Sequence, residues 1–163
     1  MSIINEKLSE CILSNPLALD EIIPHLFLGN IYVGTDYRVL KKFNITHIVR
    51  IVENSELLID YDGIKYETYE LDDYPDVDIK EIFNKVNISI RTSRKKKENV
   101  LVHCVMGISR SPTVIIAYLI DKQKMSLRHA VKLVQDKRPC IFPNEGFIEQ
   151  LKLYEKQIQR RRR

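Results

Sequence analysis

The stretch "VLVHCVMGISRSPTVIIAYL", Val100 to Leu119, constrains the fold more than any other part of the chain. Val100, Leu101 and Val102 are apolar and β-prone, which fits a short buried strand. From Ser111 onward the residues suit a helix, with Pro112 near its start, where a missing N–H costs nothing. The turn between them carries Cys104, Gly107 and Arg110. A strand turning tightly into a helix belongs to an α/β architecture. In open α/β sheets, ligand sites lie at the carboxyl ends of the strands, where this turn falls.

The rest of the chain alternates in the same way. "IIPHLFLGN" predicts a strand broken by Pro24 and ended by Gly29. Residues 31–42 predict a helix, "ITHIVRIV" a buried strand, and "IKYETYEL" a half-buried one. Asp78 is placed to cap a helix whose apolar positions are Ile79, Ile82, Phe83, Val86 and Ile90. "RTSRKKKEN" predicts a solvated basic loop. Helices are expected near 110–122, 126–137 and 144–160, the last two with Ser126 and Asn144 as N-caps. The expected fold is an α/β domain with a central mixed, largely parallel sheet flanked by helices and a tight loop between a central strand and a helix.

At 163 residues the chain holds one domain. Residues 1–20 form an N-terminal extension, in which Ile4, Leu8, Cys11 and Ile12 predict a short amphipathic helix. Residues 21–158 make the body and 159–163 a basic tail. The net charge of +4 is carried by the end of the chain: residues 152–163 sum to +5 and the remainder to −1. A near-neutral body argues against a nucleic-acid partner. No apolar run is long enough to span a membrane, and the N-terminus has no signal-peptide pattern. Cys11, Cys104 and Cys140 are odd in number and far apart. They predict no disulfide framework and a reducing compartment, the cytoplasm or the nucleus.

The turn has its own chemistry. The backbone N–H groups of Val105, Met106, Gly107, Ile108, Ser109 and Arg110 can curl into a ring at the helix N-terminus, a concavity suited to a tetrahedral dianion. Cys104 lies at its base, where the same dipoles favour a thiolate nucleophile. Arg110 offers a planar fork for two phosphoryl oxygens. Ser111 can donate to the sulfur, and His103 can hold the loop through the backbone. A lone buried cysteine is usually inert. The joint spacing H-C-x-x-G-x-x-R-S outweighs that reading. No metal or other cofactor is required.

This signature resembles that of the dual-specificity protein phosphatases, of the small single-domain type, in the cysteine-dependent tyrosine phosphatase superfamily. "IIPHLFLGN", "FNITHIVRIV" and "RPCIFPNEGFIEQLKLYE" resemble the family's opening strand, first core strand and closing helix. Arg50 departs from the asparagine often found there. The resemblance covers about residues 21–158. It implies metal-independent hydrolysis of phosphoserine, phosphothreonine and phosphotyrosine on protein substrates, through a cysteinyl-phosphate on Cys104. It also implies a general acid about thirty residues earlier, five before the polar cap of the next helix. With Asp78 as cap that acid is Asp73, and Asp72 reads as an exposed carboxylate. Asn144 would tie a neighbouring loop to the cradle.

Within the superfamily, an RNA 5′-triphosphatase and a phosphoinositide phosphatase are the alternatives. The uncharged Val105, Met106, Ile108 and Ser109 disfavour the lipid enzyme. A phosphate-binding pseudoenzyme is the alternative from another class, disfavoured by the joint presence of Cys104, Arg110 and Asp73. A redox or zinc cysteine lacks C-x-x-C spacing. A resemblance to poxvirus members adds one further expectation, a homodimer paired through residues 1–20.

Overall fold

The computed structural model describes Ser9, residues 17–56 and residues 58–163. The expected N-terminal helix, and pairing through it, lie almost wholly outside the described residues. Strands β1 (Leu19–Ile23), β2 (Leu26–Gly29), β3 (Ile45–Val52), β4 (Lys65–Glu70) and β5 (Asn99–His103) form one sheet in the order β1-β2-β5-β3-β4. Only β1 and β2 run antiparallel; the other three pairings are parallel. The sheet is mixed and largely parallel, as the pattern predicts. What reads as one interrupted strand around Pro24 is a tight hairpin, with His25 at φ 67° between its arms.

The helices are α1 (Ile31–Thr35), α2 (Tyr37–Lys42), α3 (Lys80–Lys95), α4 (Arg110–Lys122), α5 (Leu127–Lys137) and α6 (Glu145–Arg161). On one face of the sheet, α3, α4, α5 and α6 bury Val49, Ile51, Val100 and Val102. On the other, α1 and α2 cover Phe27, Ile48 and Leu101 with Val33 and Leu40. Strand β3 is covered on both faces, which is why it reads as an almost unbroken apolar run. Its two buried polar members are paired. His47 meets Ser93 at 3.0 Å and Glu67 at 3.1 Å. Arg50 donates to Thr68 and Asp60 and lies 4.4 Å from the Tyr66 ring centroid.

Four expectations need correction. Asp78 does not cap α3: the N-cap position is Ile79, without a side-chain bond, and Gln150 Oε1 on α6 accepts from the Lys80 N–H at 3.0 Å. A residue seventy positions away supplies the missing acceptor. The basic segment from Arg91 is not all loop, because α3 runs on to Lys95. The tail is not free of the body either. Helix α6 continues to Arg161, and Arg162 Nη2 donates to the Ile120 and Asp121 carbonyls at 2.7 and 2.9 Å, satisfying acceptors at the end of α4. Finally, Cys140 is disulfide-bonded and fully buried, whereas Cys104 is a free thiol.

Candidate active site

Strand β5 is central and ends at His103, so the following turn emerges between two parallel neighbours. Each carbonyl from Cys104 to Ser109 is held by a donor. His103 Nδ1 donates to Cys104 O at 3.2 Å, and the Ile31 N–H to Val105 O at 3.1 Å. Arg138 donates to Met106 O (Nη2, 3.2 Å) and to Gly107 O (Nε, 2.8 Å). The Phe142 N–H reaches Ile108 O at 2.7 Å, and Thr113 reaches Ser109 O through both its amide and its hydroxyl. In a trans peptide the C=O and the next N–H point opposite ways. Holding six carbonyls outward therefore turns the amides of residues 105–110 inward. Gly107, at φ +66°, sits where a Cβ would meet Gly29 O at 2.6 Å and Arg138 Nη2 at 2.9 Å, so only glycine fits.

Cys104, 1% exposed, lies at the base of this ring. Its Sγ accepts from the Gly107 N–H at 3.2 Å and from Ser111 Oγ at 3.1 Å, a pairing that suits an anionic sulfur. The Arg110 guanidinium is buried beside it. Nη1 is taken up by Leu71 O at 3.0 Å and Glu53 Oε1 at 2.9 Å. Nε has no hydrogen-bond partner among the described residues, so the Nε–Nη2 edge remains for an oxyanion. Burial works to raise the Glu53 carboxyl, but the Arg110 hydrogen bond, a backbone hydrogen bond and the Arg110 charge together outweigh it and leave Glu53 below its ordinary range.

Asp73 stands over the cradle. Its Oδ1 accepts from Ser109 Oγ at 2.7 Å and from Asn144 Nδ2 at 2.8 Å, and Oδ2 lies 4.0 Å from Arg110 Nε. The Asn144 N–H in turn donates to Ser109 Oγ at 3.0 Å. The Asp73 loop is pressed onto α6 at Gly146, where any Cβ would collide with the Pro75 carbonyl. Asp72 is exposed and makes none of these contacts. Asp78 makes no cap, so its spacing from Asp73 carries no weight. What distinguishes Asp73 is its place between Ser109, Asn144 and Arg110.

The opening is a cavity of about 330 Å³ lined by Asp73, Cys104, Met106, Ile108, Ser109, Arg110, Phe142 and Asn144. Met106 and Phe142, 43% and 48% exposed, give it an apolar rim. The structure thus gathers every residue singled out in the sequence, with His103 and Ser111 beneath the ring. It also adds several that the sequence did not mark. Arg138 is chief among them, buried and anchored by Asp20 at 2.8 Å. Ile31, Phe142, Glu53 and Gly146 complete the set. An arginine ahead of a proline reads as a solvated cation; nothing local signals its burial.

A free cysteine under a ring of amides, at the carboxyl edge of a largely parallel sheet, defines an oxyanion-binding α/β domain with a thiol at its base. The family model "Dual specificity phosphatase, catalytic domain" matches residues 26–157. Dual specificity protein phosphatase 1B of Arabidopsis thaliana is 35% identical over 157 residues, covering 96% of this chain and 93% of the relative. MAP kinase phosphatase with leucine-rich repeats protein 3 of Dictyostelium discoideum is 40% identical over 138 residues, which are 85% of this chain but only 16% of that protein. Among solved structures, the human tyrosine phosphatase-like serine/threonine/tyrosine-interacting protein superposes with a TM-score of 0.81 at 35% identity, over 86% of this chain and 97% of its own. A mouse putative dual specificity phosphatase complexed with zinc tungstate gives 0.85 at 27% identity, covering 91% and 92%. The chain belongs to the dual specificity phosphatase family and carries its catalytic domain.

Proposed function

We propose that the chain hydrolyses phosphoserine, phosphothreonine and phosphotyrosine on proteins in two displacements at Cys104. The observation that carries this reading is the sulfur with two donors aimed at it, under an amide ring and beside the free edge of Arg110. In the first step Cys104 Sγ attacks phosphorus, and the bond from phosphorus to the substrate oxygen breaks. Asp73 gives that oxygen a proton. In the second step water attacks the phosphocysteine, Asp73 takes up a proton from the water, and the S–P bond breaks to free phosphate and the thiolate. The amide ring and Arg110 hold the charge on the equatorial oxygens, the main source of rate in phosphoryl transfer. Ser111 steadies the departing sulfur, and His103, Asn144 and Ser109 position the loop and the acid.

The rim supports a protein substrate. Met106, Ile108 and Phe142 offer apolar surface to residues flanking a phosphosite, and the rim lacks the cations that a phosphoinositide headgroup or an RNA triphosphate would need. No helix among the described residues is long and apolar enough to cross a membrane. A substrate-trapping test decides the reading. Cys104→Ser should retain phosphopeptide binding, lose turnover, and form no cysteinyl-phosphate, whereas the wild type quenched in detergent at alkaline pH should carry label from a 32P-phosphopeptide. Labelling that survives loss of Cys104 would overturn it.

A further inference from the structure

The end of the molecule opposite the cradle has a site of its own. Helices α3 and α4 both finish at the amino edge of the sheet. Helix α4 starts at the cradle and has 13 residues, which places its end about 18 Å away. There Arg91, Arg94, Lys95, Tyr118, Lys122 and Gln123 line a cleft of about 240 Å³. Arg94 is fixed in it: Nε donates to Pro24 O at 2.9 Å and Nη1 to Tyr118 Oη at 2.8 Å. Lys122 is paired with Asp121. Arg91 and Lys95 are exposed and have no carboxylate partner among the described residues, and neither do the adjoining Lys96, Lys97 and Lys124.

The helix dipole accounts for only part of this. It favours cations in the last turn of α3 and α4, where Arg94, Lys95 and Lys122 lie. Arg91 is a turn earlier and repels Lys95 at i,i+4, a mildly destabilising arrangement. The opposite end of the molecule is acidic: Glu53, Glu56, Asp72, Asp76 and Asp78 are exposed near the cradle. The chain is therefore charged with opposite sign at its two ends. A nucleic acid or an anionic membrane complements one end only, and a membrane lying on the cleft would turn the cradle away from itself. A protein with basic residues around its phosphosite and acidic residues farther along the same chain complements both.

We propose that the cleft between the ends of α3 and α4 docks an acidic, Asp- and Glu-rich segment of the phosphoprotein whose phosphosite enters the cradle. The proposal rests on the phosphatase reading, and its test separates the two. The probes are two phosphotyrosine peptides with one phosphosite and a Gly/Ser linker of twenty residues, which reaches about 25 Å. One ends in six glutamates and the other in six serines. With the full chain at low salt, kcat/KM for the glutamate peptide should exceed that for the serine peptide by about tenfold, carried by KM, as expected when a second contact raises effective concentration. Arg91→Glu with Lys95→Glu should abolish the difference and leave p-nitrophenyl phosphate hydrolysis unchanged. Arg91→Ala with Lys95→Ala should reduce the difference without reversing any charge. Equal kcat/KM for the two peptides, or a difference that survives charge reversal, would overturn the proposal. So would displacement of the glutamate peptide by an oligonucleotide or by phosphatidylserine vesicles at lower concentrations than a free glutamate tail needs. Failure of the wild type to hydrolyse p-nitrophenyl phosphate would instead count against the phosphatase reading.

Discussion

Asn144 Nδ2 donates to Asp73 Oδ1 at 2.8 Å, joining the N-cap of the closing helix to the loop after β4 across 71 positions of sequence. The same asparagine accepts from the Phe147 N–H, so a single side chain both starts α6 and holds the carboxylate over the cradle. Asp73→Asn should lower kcat on a phosphoserine peptide by about 10²–10⁴, the usual worth of a general acid. The loss should be much smaller on an activated aryl phosphate, whose oxygen leaves unaided. Asp72→Asn should change neither, and Asn144→Ala should fall between. Steady-state rates on the two substrates check this, and a larger effect from Asp72 would transfer the role.

Removing the nucleophile should be absolute. Cys104→Ser should fold, bind vanadate and show no turnover; activity at a tenth of the wild type would end the two-step scheme. Arg110→Lys should also be severe, since a point charge cannot offer two parallel donors from one edge.

Arg138 is expected to act at a distance. It faces away from the cavity and fixes the Met106 and Gly107 carbonyls, so Arg138→Met should loosen the amide ring and weaken vanadate inhibition by an order of magnitude or more. It also breaks the 2.8 Å ion pair with Asp20, which should lower stability. Asp20→Asn removes the ion pair but keeps both carbonyl contacts. It should lower the melting temperature while leaving vanadate affinity close to normal. Parallel loss of affinity in both variants would reduce Arg138 to a structural role.

Acid should destabilise the fold. Burial holds His103 down to about 4, the Arg50 charge acts the same way, and the Cys104 carbonyl opposes them. An unfolded chain takes up this proton near 6.5, so the unfolded state binds more protons between those values. Stability is complete above 6.5 and is lost as the pH falls towards 4, by roughly 3 kcal/mol at most. Glu67 adds to the loss lower down. Burial works to raise it, but hydrogen bonds from His47, Lys65 and Ser89 prevail and hold it at about 2, so its contribution fades below pH 4.5. Urea unfolding at several pH values between 7.5 and 5 should show the decline, and His103→Asn should flatten it by about one proton.

The parts of the fold that were legible in sequence are those fixed by local chemistry. Ile45–Val52 is a strand because both its faces are apolar, and Ser126 and Asn144 do cap α5 and α6. The cradle was legible because its cysteine, glycine and arginine fall within seven residues of chain, close in sequence and space alike. What escaped depends on pairs far apart. The acceptor at the start of α3 comes from Gln150, and the clamp behind the loop joins Arg138 to Asp20, 118 positions away. The Cys140 disulfide escaped as well, since an odd count and wide spacing of cysteines predict no bond. Polar residues of this kind read as solvent-facing until the fold brings their partners to them.

Helix α4 shows no solvent-facing side from Arg110 to Ile120, eleven consecutive buried residues. This leaves almost no freedom for sequence drift along the element that begins the cradle. In a saturation mutagenesis screen those positions should form one intolerant block, blind to which substrate is supplied. Diversification of substrate preference among descendants of this chain would then be channelled to Met106, Ile108 and Phe142, which line the cavity but lie outside the helix. New specificities could arise there by single substitutions, with the catalytic geometry inherited intact.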